Sequence, residues 1–283
     1  MSIKKRKAEE TVFKVLMVGA CTVVSSSLFL IVGTIVIKGL PYLTWDMVSK
    51  APQGGFYIGK EGGVLNAIIG SLYLAGGATI LGLLVSIPIS IYLNIYLKSG
   101  SLLNKSAKLA YDVLFGIPSI VYGAFAFSIM IWLGVRASLL GGVIAVTLLI
   151  IPILVRTLDE VITTVPKELK HAALSLGATR WEAAKVILRQ IKPGIYTAIL
   201  LAFGRGIGDV ASVLFTAGFS DNIPKYLDEP AATLPLAIFF QLGSPIPEVQ
   251  GRAYASALIL TVIILAIVVA SHFLAAKQTK HKI

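Results

Sequence analysis

Long uncharged apolar windows dominate the chain, separated by shorter segments where charge, proline and glycine concentrate. A helix that crosses a bilayer needs roughly 20 predominantly apolar residues. Six windows meet that requirement: 15–37, 64–97, 113–135, 137–155, 194–220 and 253–276, the second being longer than one crossing needs. The pattern predicts an all-α membrane protein with six transmembrane helices. Only the fifth window contains formal charges, Arg205 and Asp209.

Composition supports lipid as the main solvent, since 56% of the 283 residues are apolar and 14% charged. Basic residues fall on alternate connections. With both termini inside, the cytoplasmic segments carry 18 Lys and Arg against 7 acids, while the outer segments carry six of each. That asymmetry sets a cytoplasmic location for both termini in a multi-pass membrane protein. The net charge of +11 is then a topology signal, and the expected surroundings are membrane lipid with no nucleic-acid partner. The basic start, "MSIKKRKAEE", precedes an apolar run about twice the length of a signal-peptide core, so the first span is expected to stay uncleaved. Cys21 lies in that span, read as a small buried apolar residue; a lone cysteine makes no internal disulfide.

The chain reads as one integral-membrane domain, 1–283, with a basic N-terminal tail (1–14), outer loops at 38–63 and 221–252, and a cytoplasmic loop at 159–192. Proline and glycine in the outer loops argue against further spans. The weakly apolar "AATLPLAIFFQLG" is too short to cross and is expected at the outer interface or as a re-entrant piece.

The cytoplasmic loop reads as two short helices around a tight break. Pro166 suits a first helical turn and Glu168 complements the positive helix start. Leu169, Ala172, Ala173 and Leu176 recur at helical spacing, opposite Lys167, Lys170 and His171. Gly177 suits a left-handed helix end, and Thr179 with Glu182 has capping-box spacing. Such an amphipathic helix lies on the membrane, packs on its own bundle, or docks into a partner's groove; the small residues Ala172, Ala173, Gly177 and Ala178 favour close approach to another protein.

Burying Arg or Asp at the centre of a span costs roughly 2.5–3.5 kcal/mol each, so the two charges of the fifth window should face the bundle interior and find partners. At i and i+4 they share a helical face. One reading is a self-neutralised pair that fixes packing; the other is a translocation pathway in which the Arg205 fork meets an oxyanion and Asp209 holds it between visits. Arg156, at the inner end of the fourth span, is either a second pathway residue or a positive-inside anchor. Pro118 in "GIPS" breaks a span and brings Ser119 forward as an anion donor, or only bends the helix. "GRGIGD" lacks the context of a dinucleotide fingerprint, and no phosphate-binding Gly-x4-Gly-Lys-Ser/Thr loop or hydrolase motif is present. The chain is therefore not expected to be an enzyme.

"HAALSLGATRWEAAKVI" resembles the loop by which ABC importer permeases engage their ATPase. "GGVLNAIIGSLYL", "FGIPSIVYGAF", "IPILVRTLDEVITTVPKELKHAALSLGATRW" and "GRGIGDVASVLFTAG" are similar to phosphate transporter permeases, and "VRTLDE" with "VLFTAG" leans toward their A-type subunit. The resemblance implies a type I ABC importer permease fold in the cell's inner membrane, a pore completed by a second, C-type permease, a cytoplasmic ATPase dimer and an extracytoplasmic phosphate-binding protein. It implies no cofactor on this chain, ATP being used by the partner ATPase. It places functional charges at Arg156, Arg205 and Asp209, and ATPase coupling on Lys167, Glu168, Leu169, His171, Ala172, Ala173, Leu176, Gly177 and Ala178. The sequence departs from the pattern at His171 and Asp209, where Glu is usual, and at Arg189-Gln190, where many permeases have Leu-Pro. Neighbouring alternatives are the same machine for sulfate or molybdate, and an ion-coupled anion carrier that works without an ATPase.

Overall fold

The computed structural model describes residues 3–53, 61–98 and 100–279. Residues 54–60 of the expected 38–63 loop, the first two residues of the N-terminal tail, and the last four of the chain lie outside the described residues. The described chain is helical: α1 (Ile3–Gly39), α2 (Trp45–Ser49), α3 (Leu65–Ile91), α4 (Leu102–Phe115), α5 (Ser119–Trp132), α6 (Leu139–Thr163), α7 (Lys167–Ser175), α8 (Arg180–Gln190), α9 (Lys192–Ile207), α10 (Leu234–Leu242) and α11 (Pro247–Thr279). A π-helical turn, Tyr92–Tyr96, extends α3.

Four helices are long and apolar enough to cross a membrane, and six crossings result if each of two bent pairs, α4 with α5 and α8 with α9, counts as one. The centre is the α3–α6 pair with α9 laid against both. Leu74, Ala78, Val146, Ile150, Leu154, Ala198 and Ala202 form its core. Close approach depends on small residues: a Cβ at Gly82 would lie 2.9 Å from Leu154 Cδ1. The Ser90 hydroxyl reaches the Val155 carbonyl on α6 at 3.5 Å. A second core joins α2, α3, α10 and α11 through Met47, Ala67, Leu234, Ala237 and Ala255. There "AATLPLAIFFQLG" becomes α10, buried against α3 and α11.

Two expected spans are interrupted. The third, 113–135, bends by 99° between Phe115 and Ser119. Pro118 has no N–H and disfavours helical backbone at Ile117, so α4 cannot continue into α5. The Tyr122 hydroxyl donates to Leu114 O at 2.8 Å, beside the Ile117 N–H at 3.1 Å. The fifth, 194–220, stops being helical at Ile207, and residues 211–217 form consecutive turns packed into the core. Glycines at 204, 206 and 208 weaken the helix, and Asp209 offers its carboxylate to the backbone of the turn that follows. α9 is also bent 72° from α8. Cys21, expected to be buried, is exposed on α1, because that helix packs mainly on α11 near its C-terminal end.

Gly123 of α5 seats the turns after α9: a Cβ there would meet Ser212 O at 2.7 Å and Ser212 Cα at 2.8 Å, both fixed backbone atoms. Gly123→Ala is expected to cost about 1–3 kcal/mol, read as a lower unfolding temperature in detergent. Gly204→Ala, where nothing lies within 4 Å, should leave that temperature unchanged or raise it slightly.

Candidate functional site

Arg205 and Asp209 lie together, but not as two residues of one helix. Arg205 is in the last turn of α9 and Asp209 is past its end. The Arg205 Nη2 to Asp209 Oδ1 distance is 3.7 Å. The two groups are held unequally. Asp209 Oδ2 accepts from the Ser212 backbone N–H at 2.8 Å and the Ser212 hydroxyl at 2.5 Å, and its side chain is 4% exposed against 49% for Arg205. Among the described residues Arg205 has no other polar contact. The carboxylate is anchored, and the guanidinium is held by one long ion pair.

Arg205 borders a cavity of about 310 Å³. Its other walls are Leu114, Phe115 and Ile117 from the α4–α5 elbow, Leu149 and Ile153 from α6, and Leu201 from α9. Apolar walls screen a charge less than water does, so Arg205, half-exposed and loosely paired with Asp209, is the group to which an anion entering this cavity would be drawn. Ser119 begins α5 just beyond the elbow and is half-buried, but does not line this cavity.

Arg156 stands beside the same cavity and faces acids. Its Nη1 is 3.6 Å from Asp112 Oδ1, its Nε 3.3 Å from Glu160 Oε1, and its guanidinium lies 4.9 Å from the centre of the Phe115 ring. Phe115 thus contacts both sites: it walls the Arg205 cavity and carries Arg156.

A third polar cluster was not anticipated. Asp159 of α6, buried, accepts from Asn94 Nδ2 at 2.8 Å through Oδ1, and from Lys108 Nζ at 2.7 Å and Tyr111 Oη at 2.9 Å through Oδ2. Its partners lie 48 to 65 residues away in sequence, so no local spacing marks them. The only available signal was an acid near the end of an apolar helix.

Of the expected loop 159–192, residues to Thr163 continue α6, and the rest forms the two expected short helices, α7 and α8, with Gly177 at φ +81° and the Thr179–Glu182 capping box closed in both directions. Its faces differ from the expected stripe. Leu169, Ala173 and Ala178 are half-buried, whereas Lys167, Glu168, His171, Ala172 and Gly177 are exposed, and Leu176 is 88% exposed. Lys170, expected on the polar side, turns inward. Its ammonium donates to the carbonyls of Asn94 at 3.2 Å and Ile95 at 3.0 Å, and Arg180 donates to Tyr96 O at 3.2 Å. The reason is the π-helical turn, whose last carbonyls lack helical partners and present a negative dipole end to the two cations. Burial, then the nearby Arg180 charge, lowers the Lys170 pKa from its ordinary value. α7 is therefore fastened to its own bundle along one side and bare along the other.

The family described as binding-protein-dependent transport system inner membrane component matches residues 86–280. The phosphate transport system permease protein PstA of Haemophilus influenzae is 34% identical over 82% of this chain and 81% of its own length. The PstA protein of Yersinia pestis is 37% identical over 86% of each chain. Among solved structures, an inward-facing MetNI methionine ABC transporter matches with a TM-score of 0.59 at 16% identity, over 76% of this chain and 95% of that one. That likeness is one of fold.

The unequal anchoring of the pair has a measurable consequence. Asp209→Ala strips Ser212 of both hydrogen bonds and is expected to cost about 1–3 kcal/mol. Arg205→Ala, truncating a half-exposed side chain, should lower the unfolding temperature in detergent by clearly less.

Proposed function

The chain belongs to the family of binding-protein-dependent transport system inner membrane components, among the PstA-type permeases, and on that premise we propose that it conducts inorganic phosphate. It is a membrane transport subunit of an ABC importer and not an enzyme. In this reading the chain sits in the inner membrane with both termini cytoplasmic, as the distribution of Lys and Arg favours. It supplies half of the translocation pathway; a second permease, the C-type homologue, supplies the rest. A binding protein delivers phosphate to the outer face, and a cytoplasmic ATPase dimer provides the energy. No cofactor is assigned to this chain.

One observation carries the reading: Arg205 is the single charged lining residue of an apolar cavity, half-exposed, beside an anchored counter-ion. Phosphate brings one or two negative charges and several acceptor oxygens, which a guanidinium fork matches in pairs. An arriving anion competes with one long ion pair for Arg205, while Asp209 stays with Ser212. When the anion leaves, Asp209 is still in place to take the guanidinium back. The charge is thus held without being locked. Arg156, already flanked by Asp112 and Glu160, suits a wall position better than a resting site. Ser119 would meet an anion only outside the cavity.

The bare side of α7 supports the ATPase part of the reading. Leu176, Ala172, His171 and Glu168 project beyond the bundle, and docking would bury them in a groove of the ATPase. Rotation of the docked helix would then carry the bundle between its two access states.

Arg205→Gln is expected to assemble and reach the membrane normally while phosphate uptake falls by about tenfold or more, as expected when a charge-assisted contact is removed. Uptake in vesicles containing the complete complex, with sulfate as competitor, measures this; normal uptake by the variant, or full competition by sulfate, would count against the reading. Gly177→Val forces a β-branched residue into left-handed backbone. It should weaken co-purification of the ATPase and leave membrane insertion intact.

A further inference from the structure

We infer that Asp159 is a positioning residue that transmits movement of α7 to the wall of the Arg205 cavity, an inference that rests on reading α7 as the ATPase-engaging helix. Asp159 touches neither that cavity nor the bare side of α7. What singles it out is how its two oxygens are shared.

Oδ1 belongs to the segment that α7 grips. Asn94 donates to it from its side chain, while the backbone carbonyl of the same Asn94 receives Lys170 from α7. A displacement of α7 therefore pulls on the residue that holds one side of the carboxylate. Oδ2 belongs to α4, through Lys108 and Tyr111. The next residue of α4, Asp112, pairs with Arg156, and one turn further on Phe115 lines the cavity and lies under the Arg156 guanidinium. Arg156 and Asp159 share α6, three residues apart. The path from α7 to the cavity wall is thus made of direct polar contacts and one rigid helix.

Packing alone does not call for such a cluster. The same helices would be held as well by apolar side chains, without the cost of desolvating a carboxylate. Apolar contacts slide, however, whereas a carboxylate with three donors on two separate segments has discrete arrangements. Discrete alternatives are what a coupling element needs.

The test uses the complete complex with Cys21→Ser and a reporter, Leu114→Cys, in the cavity wall. The rate of modification by a charged maleimide is measured with and without ATP plus vanadate. The parent should show an ATP-dependent change of about tenfold, within the usual range of coupling between sites. Asp159→Asn should reduce that change to about twofold or less while leaving the resting rate as it was, and Asp159→Glu should restore part of it. A residue that only holds the fold together would alter the resting rate instead. If Asp159→Asn does not assemble, Lys108→Gln, which removes a half-exposed partner, is expected to give the same loss. An unchanged ATP response in these variants would overturn the inference, as would a parent with no ATP response. Vanadate alone, an oxyanion like phosphate, is the control for occupancy of the cavity, and the readout measures no uptake, so a failure of phosphate specificity leaves it untouched. If no ATPase co-purifies, the reading of α7 and this inference fall together; if the ATPase co-purifies and the response is unchanged, this inference falls alone.

Discussion

At three breaks among the described helices of this bundle, a side chain engages backbone groups beside the break. Lipid offers no hydrogen bonds, so the accounts must close within the protein. At the α4–α5 elbow the Tyr122 hydroxyl joins the Ile117 N–H on Leu114 O. Past the end of α9 the Asp209 carboxylate receives the Ser212 N–H. At the end of the π-helical turn Lys170 and Arg180 cover the carbonyls of Asn94, Ile95 and Tyr96. The three breaks shape the molecule: the first two border the Arg205 cavity, and the third fixes α7.

The same constraint explains why the two charges of the fifth apolar window have different characters. Asp209 is spent on backbone; Arg205 is not. Two fully engaged charges would make a rigid strut, and two free ones would be too costly to bury. One anchored acid and one loosely held base give a cation that is present and available.

Much of this was legible in the sequence because it depends on local pattern. Apolar windows located the long helices α1, α3, α6 and α11; Gly177, Thr179 and Glu182 announced the α7–α8 junction; the charges in the fifth window pointed to Arg205. What the sequence hid was non-local. Pro118 predicted a break but not a 99° turn. Helical spacing placed Lys170 outside, and only the open carbonyls of Asn94 and Ile95, some 75 residues earlier, draw it in. Asp159 reads as one more acid of a cytoplasmic loop until Asn94, Lys108 and Tyr111 are brought around it.

α1 is 37 residues long, and its most apolar stretch is not buried against any other part of the chain. At about 1.5 Å per residue it measures near 55 Å, well above a hydrocarbon thickness of about 30 Å. Its attachment lies at the far end, where Gly39 meets Tyr254 and Gly251 meets Tyr42. Its uncharged run, 15–37, accounts for about 35 Å of that at about 1.5 Å per residue, so the excess lies mainly in the charged first turns. Lys5, Arg6 and Lys7 lie in that charged part, at the extremity away from the attachment, where a bilayer surface with anionic headgroups would meet them like the float of an outrigger.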